Sequence, residues 1–310
     1  MSAADLVCGM ATPISIAAVA VRAPTPGAVL ELLKPITWFA PMWAYGCGLV
    51  SVGGATVDRW PYALAGILLA GPLVCGTSQA VNDWFDREVD AINEPDRVIP
   101  SGRMPGRWGL AVAVAGTLLS LLVAAILGLV VFLAALVGLA LAWAYSAPPF
   151  RLKRNGWMGN SAVGLCYEGL PWFTAAAAVA GGFPAWPVVA MALLYSIGAH
   201  GIMTLNDFKA VGGDRVSGID SLPVLLGEGL AARVACAVMA LPQLVVIGLL
   251  VAWGFPWHAG VVTALLLLQA ACMLRLLSDP ERHAAWYNAT GTTFYVLGML
   301  AAAFALQAMG

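Results

Sequence analysis

From Trp108 to Phe150 the sequence contains no charged residue, and most of its side chains are apolar. A membrane-spanning helix needs about 20 apolar residues, so this run is too long for one crossing and suits two. Gly128, near its middle, is the predicted turn between them, because glycine interrupts helical patterns. The whole chain is 61% hydrophobic and 10% charged, whereas soluble domains carry about 25% charged residues. The sequence therefore predicts an all-α polytopic membrane protein.

Nine apolar runs are long enough to cross a bilayer once the long run is divided at Gly128. The predicted crossings are Pro35–Thr56, Pro61–Val81, Gly109–Gly128, Leu129–Tyr145, Ser161–Gly181, Pro187–Leu205, Ala231–Trp253, Trp257–Leu277 and Ala289–Met309. Residues 1–34 are only mildly apolar, and we expect them to form a loose or interfacial N-terminal cytoplasmic arm. Residues 35–310 are expected to form one transmembrane domain of nine helices.

The basic residues are sorted to one side of this predicted bundle. All of the 15 Lys and Arg residues except Arg59 lie in the N-terminal arm or near the loops after the second, fourth, sixth and eighth crossings. Loops rich in Lys and Arg face the cytoplasm in most membrane proteins. The sorting therefore predicts a multi-pass protein with its N-terminus in the cytoplasm and its C-terminus on the other side.

A first cluster of polar side chains follows the second crossing: Asn82, Asp83, Asp86 and Asp90. If the helix continues, Asn82, Asp86 and Asp90 stand at i, i+4 and i+8, which places their oxygen atoms along one stripe. Asp83 precedes Asp90 by seven residues and lies close to the same face.

A second cluster follows the sixth crossing and begins, like the first, with Asn-Asp, at Asn206 and Asp207. Asp214 lies seven residues after Asp207 and would share its face on a continuous helix. Gly212 and Gly213 weaken helix formation between them, so a continuous helix is less favoured here than in the first cluster.

The two clusters together predict a site for a divalent cation and a phosphorylated substrate. So many carboxylates at one membrane face would repel one another unless a cation lay between them. Mg²⁺ binds through one or two carboxylates together with phosphate oxygens and water, and neighbouring Arg and Lys side chains suit the remaining phosphate oxygens. A diphosphate head on an apolar tail fits this combination beside a hydrophobic bundle.

A secondary transporter is disfavoured, because transporters hold their coupling ions near the bilayer midplane. A purely structural pigment-binding scaffold is also disfavoured, because such a protein would not need two acidic clusters.

At these residues the sequence resembles the intramembrane prenyltransferases of the UbiA superfamily. NDWFDREVD fits the N-D-x-x-D-x-x-x-D motif of that superfamily, and NDFKAVGGDR resembles its second aspartate motif. More narrowly, LLKPITWFAPMWAYGCG, INEPDRVIPSGR, YSAPPFRLKRNGWMGN and TLNDFKAVGGDRVSGIDSLPV look like the chlorophyll and bacteriochlorophyll synthases. The likeness runs from about residue 30 to the end. Gly212 departs from it where an acidic side chain is expected, which affects the number of metal ligands.

The resemblance implies nine helices around a cavity, into which the two aspartate motifs face. It implies Mg²⁺-dependent transfer of a geranylgeranyl or phytyl group from its diphosphate to the propionate of a (bacterio)chlorophyllide. Carried over by motif, the Mg²⁺ ligands are Asn82, Asp83, Asp86, Asp90, Asp207 and Asp214. Of these, Asp86, Asp90, Asp207 and Asp214 are the expected catalytic residues. The expected diphosphate-binding residues are Arg97, Lys153, Lys209 and Arg215.

The resemblance further implies a location in the cell inner membrane, either the cytoplasmic membrane or an intracytoplasmic photosynthetic membrane. It leaves association with other pigment-biosynthesis proteins open, and we expect no nucleic-acid partner. The alternative is another UbiA-type prenyltransferase that acts on a quinone precursor or a haem.

Two ionisable residues, Glu168 and His200, fall inside predicted crossings. Ionisable groups are rare within membranes and usually face the protein interior. Glu168 and His200 are therefore candidate acceptor-site residues, with His200 as a ligand for the central metal of the macrocycle. The alternative for each is a hydrogen bond between packed helices.

Overall fold

The structure is a computed structural model that describes residues 23–53 and 59–309. Its regular structure within these residues is helical, and we number the helices α1 to α12. The shorter ones are α1 (Pro26–Leu32), α2 (Phe39–Ser51), α8 (Val211–Ser217) and α9 (Leu222–Leu226). The longer ones are α3 (Trp60–Asn93), α4 (Trp108–Leu127), α5 (Leu129–Ser146), α7 (Trp186–Asp207), α10 (Glu228–Ala252), α11 (Pro256–Ser278) and α12 (Pro280–Gln307). Helix α6 consists of Gly156–Gly164, a π-helical turn at Leu165–Gly169, and Leu170–Ala180.

Seven of the described helices are long and apolar enough to cross a membrane: α3, α4, α5, α7 with its extension, α10, α11 and α12. The predicted count of nine is therefore not confirmed exactly. The two other predicted crossings correspond to α2, which has only 13 residues, and to α6, which carries polar side chains such as Asn160 and Glu168. The hairpin turn is confirmed at Gly128, whose φ of 127° joins α4 to α5 in a conformation that favours glycine.

The predicted N-terminal arm is not loose throughout. Residues 1–22 lie outside the described part of the chain, but residues 26–32 form α1. Leu32 is fully buried and packs with Val81 and Met104. The Arg103 guanidinium also donates two hydrogen bonds to the Glu31 carboxylate, at 2.5 and 2.8 Å. The boundary predicted after residue 34 is therefore not a break in packing.

Two helices that frame the candidate site contain a π-helical turn, at Leu69–Cys75 in α3 and at Leu165–Gly169 in α6. In α3 the cause is visible in the sequence, because Pro72 lies inside the turn and lacks the N–H that an α-helix requires. A π-helical turn rotates the residues that follow it relative to those before it, and such turns often occur at functional sites.

The described chain begins and ends at opposite ends of the bundle. Lys34 contacts Asp83 and Lys153 contacts Asp86 at one end, which we call the acidic end. At the opposite end Ser51, Pro184 and Gln307 line one shared pocket. The two ends of the described chain therefore lie at opposite ends of the helical bundle.

Candidate active site

The first acidic cluster lies on the last turns of α3, which continues to Asn93 beyond the predicted end of the crossing. The predicted helical spacing is therefore confirmed. Asp83 and Asp90 are buried, with 3% and 6% of their surface exposed, whereas Asn82 and Asp86 are half-buried. The cluster thus presents two faces with different surroundings.

Asn82 and Asp86 face towards α5 and the loop that follows it. The Asn82 amide donates a hydrogen bond to Ser146 Oγ at 3.2 Å, and Asp86 forms an ion pair with Lys153. Burial lowers the pKa of Lys153, although the neighbouring Asp86 charge opposes this effect. Lys153 was predicted to bind diphosphate, and the structure places its ammonium directly beside a predicted metal ligand.

Asp83 and Asp90 instead meet cationic side chains. Lys34 Nζ lies 2.6 Å from Asp83 Oδ1, and Arg97 Nη1 lies 2.8 Å from Asp90 Oδ2 and 3.7 Å from Asp83 Oδ1. Partial burial by itself would lower the pKa of Arg97, but its hydrogen bond to Asp90 and the nearby acidic charges raise it. The structure therefore brings Arg97, predicted for the diphosphate, onto the acidic cluster. It also identifies Lys34, which sequence reasoning missed.

The second cluster begins at the end of α7. The Asn160 amide donates a hydrogen bond to Asp207 Oδ2 at 3.0 Å, and the Asn288 amide donates one to Asn206 Oδ1 at 2.9 Å. After Asp207 the chain forms a 3₁₀ turn over Phe208–Ala210 and then α8, which carries Asp214. The two glycines do not end the helical path, because both lie inside α8.

Lys209 and Arg215 are exposed, and neither forms an ion pair among the described residues. Lys209 lines the cavity described next, whereas Arg215 does not. Asn160 was not predicted as a site residue. Its signal in the sequence was an amide near the start of a crossing, within the resembling segment YSAPPFRLKRNGWMGN.

A cavity of about 340 Å³ lies between the two clusters. Its lining consists of Thr37, Ser78, Gln79, Asn82, Leu141, Ala142, Tyr145, Ala162, Val163, Cys166, Tyr167, Met203, Asn206 and Lys209. Asn82 comes from the first cluster and Asn206 and Lys209 from the second. Tyr145, next to the end of α5, lines the cavity together with them. Both clusters therefore face one cavity whose inner wall is largely apolar.

One polar group of the wall was missed by sequence reasoning. The Tyr167 hydroxyl accepts a hydrogen bond from the Gln79 amide at 3.3 Å and a weak one from Cys75 Sγ at 3.8 Å. A phenol that accepts these bonds keeps its own hydrogen available as a donor. No motif identifies this pair, because it forms only where α3 and α6 pack together.

The two intramembrane candidates do not line this cavity within the described structure. Glu168 follows Tyr167 by one residue on α6 and so projects in another direction; it is 4% exposed, and its Oε2 has no hydrogen-bond partner among the described residues. His200 faces α6, where Ser161 Oγ lies 3.1 Å from its Nδ1. Helical periodicity directs both residues to faces other than the one that lines this cavity, and their place in an acceptor site stays a prediction.

The donor set around the cavity suits Mg²⁺ in combination with a diphosphate. Among the described residues, no three His, Cys, Asp or Glu side chains already surround one metal position. Mg²⁺ commonly takes only one or two carboxylates and completes its shell with phosphate oxygens and water. Asn82 and Asp86 on one side, and Asp207 and Asp214 on the other, match that requirement. Asp83 and Asp90 are paired with Lys34 and Arg97, and Asp86 is paired with Lys153.

Comparison with known proteins agrees with this geometry. Residues 38–298 match the UbiA prenyltransferase family. The chain belongs to the UbiA family. Among its UbiA-family relatives, the bacteriochlorophyll synthase 33 kDa chain of Cereibacter sphaeroides is 59% identical over 286 residues, which cover 92% of this chain and 95% of that protein. Chloroplastic chlorophyll synthase of Arabidopsis thaliana is 38% identical over 288 residues, covering 90% of this chain and 74% of that one.

The fold of this UbiA-family chain is also found among solved structures. A UbiA homologue from Archaeoglobus fulgidus bound to GPP and Mg²⁺ superimposes with a TM-score of 0.65. The superposition covers 91% of this chain and 99% of that one, at 19% sequence identity. The all-helical UbiA-type fold predicted from the sequence is therefore confirmed.

Proposed function

We propose that this chain is a (bacterio)chlorophyll synthase. It joins a geranylgeranyl or phytyl group from the prenyl diphosphate to the propionate of a (bacterio)chlorophyllide and releases diphosphate. The observation that carries the proposal is the cavity between the two acidic clusters, in a chain 59% identical to a bacteriochlorophyll synthase chain over 92% of its length.

The diphosphate is expected at the mouth of the cavity. Asn82, Asp86, Asp207 and Asp214 would hold Mg²⁺ there, and the bound cation would stabilise negative charge on the leaving diphosphate. Lys153, which pairs with Asp86, and Lys209, which lines the cavity, suit the remaining phosphate oxygens. Both ammonium groups stabilise the transition state more than the ground state, because negative charge on the diphosphate grows as the C1–O bond breaks.

The rest of the cavity suits the prenyl chain. Leu141, Ala142, Ala162 and Val163 give it an apolar wall, which keeps water away from an allylic carbon that develops positive charge. A propionate oxygen forms the new bond to C1 while the C1–O bond to diphosphate breaks with its electron pair. The propionate is already ionised at neutral pH, so the step requires no general base.

The reaction is tested directly with purified protein, Mg²⁺, chlorophyllide or bacteriochlorophyllide, and geranylgeranyl or phytyl diphosphate. We expect esterified pigment as the product, and none when the propionate is blocked as a methyl ester. Prenylation of 4-hydroxybenzoate in place of the pigment would reject the pigment assignment and favour a quinone-precursor relative.

We place the protein in the cell inner membrane, with its N-terminus and the acidic end of the bundle on the cytoplasmic side. The sorting of Lys and Arg residues supports this orientation.

A further inference from the structure

A second pocket lies on the other side of α6 from the catalytic cavity. Ala162, Val163 and Cys166 of α6 line the cavity, whereas Trp157, Ser161 and Leu165 of the same helix line this second pocket. We call it the His200 groove. Its volume is about 390 Å³, within the usual range of small-molecule sites, about 300 to 1,000 Å³.

The groove faces the membrane. Leu193 and Ile197 of α7 line it and are 50% and 54% exposed, and Trp157 is 45% exposed. In a bilayer such surfaces contact lipid tails, so an apolar or amphiphilic molecule can reach the groove from the membrane.

His200 is the one ionisable side chain among the described residues that line the groove. It is 6% exposed, and its Nε2 has no hydrogen-bond partner in the described structure. Its Nδ1 lies 3.1 Å from Ser161 Oγ, and its ring stacks on Trp157 with the centroids 5.6 Å apart. A buried polar atom without a partner is costly in an apolar environment, so a ligand for Nε2 would be stabilising.

These contacts match an imidazole prepared to bind a metal. Metal-binding histidines commonly donate the N–H of one ring nitrogen to a neighbouring acceptor, which fixes the ring and leaves the other nitrogen free as the ligand. Ser161 Oγ is suited to accept that bond from Nδ1. Among the described residues the groove offers no second imidazole, thiol or carboxylate. Its other lining residues are Trp157, Ser161, Leu165, Leu193, Ser196, Ile197 and Val238.

A single imidazole in an apolar groove suits a metal whose other ligands come from a planar macrocycle. We propose that the His200 groove binds the ring of a magnesium tetrapyrrole from the membrane, with His200 Nε2 as the axial ligand of the central metal. This proposal rests on the proposed function, which brings a magnesium tetrapyrrole to the protein as substrate and product. The groove is separate from the cavity in which the ester forms. Nε2 is covered in this structure, and we place the opening at Trp157, the half-exposed ring that stacks on His200.

The test compares bacteriochlorophyll with its metal-free form, bacteriopheophytin, in titrations of the purified protein in lipid nanodiscs. The two pigments share ring and tail, so a difference in affinity isolates the metal. We expect tighter binding of the magnesium pigment, with a resonance Raman band that reports an axial ligand from the protein. Ser161→Ala, which removes the partner of Nδ1, should weaken this binding by about tenfold.

His200→Phe should abolish the preference for the magnesium pigment while turnover of chlorophyllide is retained. In His200→Gly, added imidazole should restore the Raman band. Equal affinity of the wild type for both pigments would overturn the proposal, even if every variant misfolds. A preference that survives in His200→Phe would also overturn it. If the wild-type protein does not esterify chlorophyllide, the result would instead count against the proposed function.

Discussion

At the scale of residues, the four polar side chains of the first cluster divide into two pairs. Asn82 lines the cavity and Asp86 pairs with Lys153, whereas Asp83 and Asp90 are held by Lys34 and Arg97. A buried carboxylate without a partner would be strongly unfavourable, so the cations make a dense acidic cluster compatible with folding. This division leads to different expectations for the two pairs.

Removing one carboxylate from each side of the cavity tests the metal site. Asp86→Ala and Asp207→Ala should each lower the rate by at least about 10²-fold, because each removes a ligand of a charge-stabilising metal. Chelation with EDTA should abolish turnover, and Mg²⁺ should restore it. Glu88 is a matched control, since it is an exposed acid on the same helix that pairs with Arg87. Near-normal turnover in both alanine variants would remove the acidic clusters from the mechanism.

Lys34 and Asp83 are expected to act as a pair that holds the end of α3. Lys34→Met leaves the Asp83 charge with only the more distant Arg97, so thermal unfolding in detergent should occur at a lower temperature. The double variant Lys34→Met with Asp83→Asn should recover most of this loss and retain activity. If Asp83 is instead a metal ligand, the double variant will be stable but inactive.

At the scale of elements, the packing of α6 against α7 separates the catalytic cavity from the His200 groove. A Cβ atom added at Gly164 would lie 2.7 Å from the Ser196 carbonyl oxygen and 3.2 Å from the His200 backbone nitrogen. Gly164 therefore allows two helix backbones to approach closely. It does not create room in the cavity, whose width depends on small side chains such as Ala142 and Ala162.

Two substitutions to leucine separate these roles. Ala142→Leu should fill part of the cavity and reduce turnover with the macrocycle while the protein remains stable, as measured by activity and by the unfolding temperature. Gly164→Leu should lower the unfolding temperature, because its side chain would clash with the α7 backbone. Backbone atoms cannot move aside as the end of a flexible side chain can. A stable Gly164→Leu protein with impaired turnover would show that this position faces the cavity and not the α7 backbone.

At the scale of the whole molecule, the groups proposed to handle diphosphate gather at the acidic end of the bundle. Segments far apart in sequence meet at the acidic end; for example, Gly156 donates a backbone hydrogen bond to Asp220 at 2.8 Å. A charged substrate head is therefore expected to enter from one side of the membrane only.

Reporter fusions test the orientation of the bundle. Fusions at Gly182 and after the last residue should report the periplasm, and a fusion near Gly156 should report the cytoplasm. The reason is the concentration of Lys and Arg in loops on the side of Gly156. A cytoplasmic signal from the C-terminal fusion would reject an odd number of crossings.

The sequence alone determined the membrane class, the α4–α5 hairpin at Gly128 and the two acidic clusters, because apolar run length and helical spacing are local properties. It did not determine which partner each acid meets. Asp83 and Asp86 lie on one helix, and their different partners, Lys34 and Lys153, come from distant segments. Other contacts likewise depend on how α3, α6 and α7 pack. They include the hydrogen bond from Asn160 to Asp207 and the one from Gln79 to Tyr167. The same packing places Glu168 and His200 away from the cavity. Tertiary structure decided these contacts, since one helix fixes the direction of a side chain but not the neighbour that it meets.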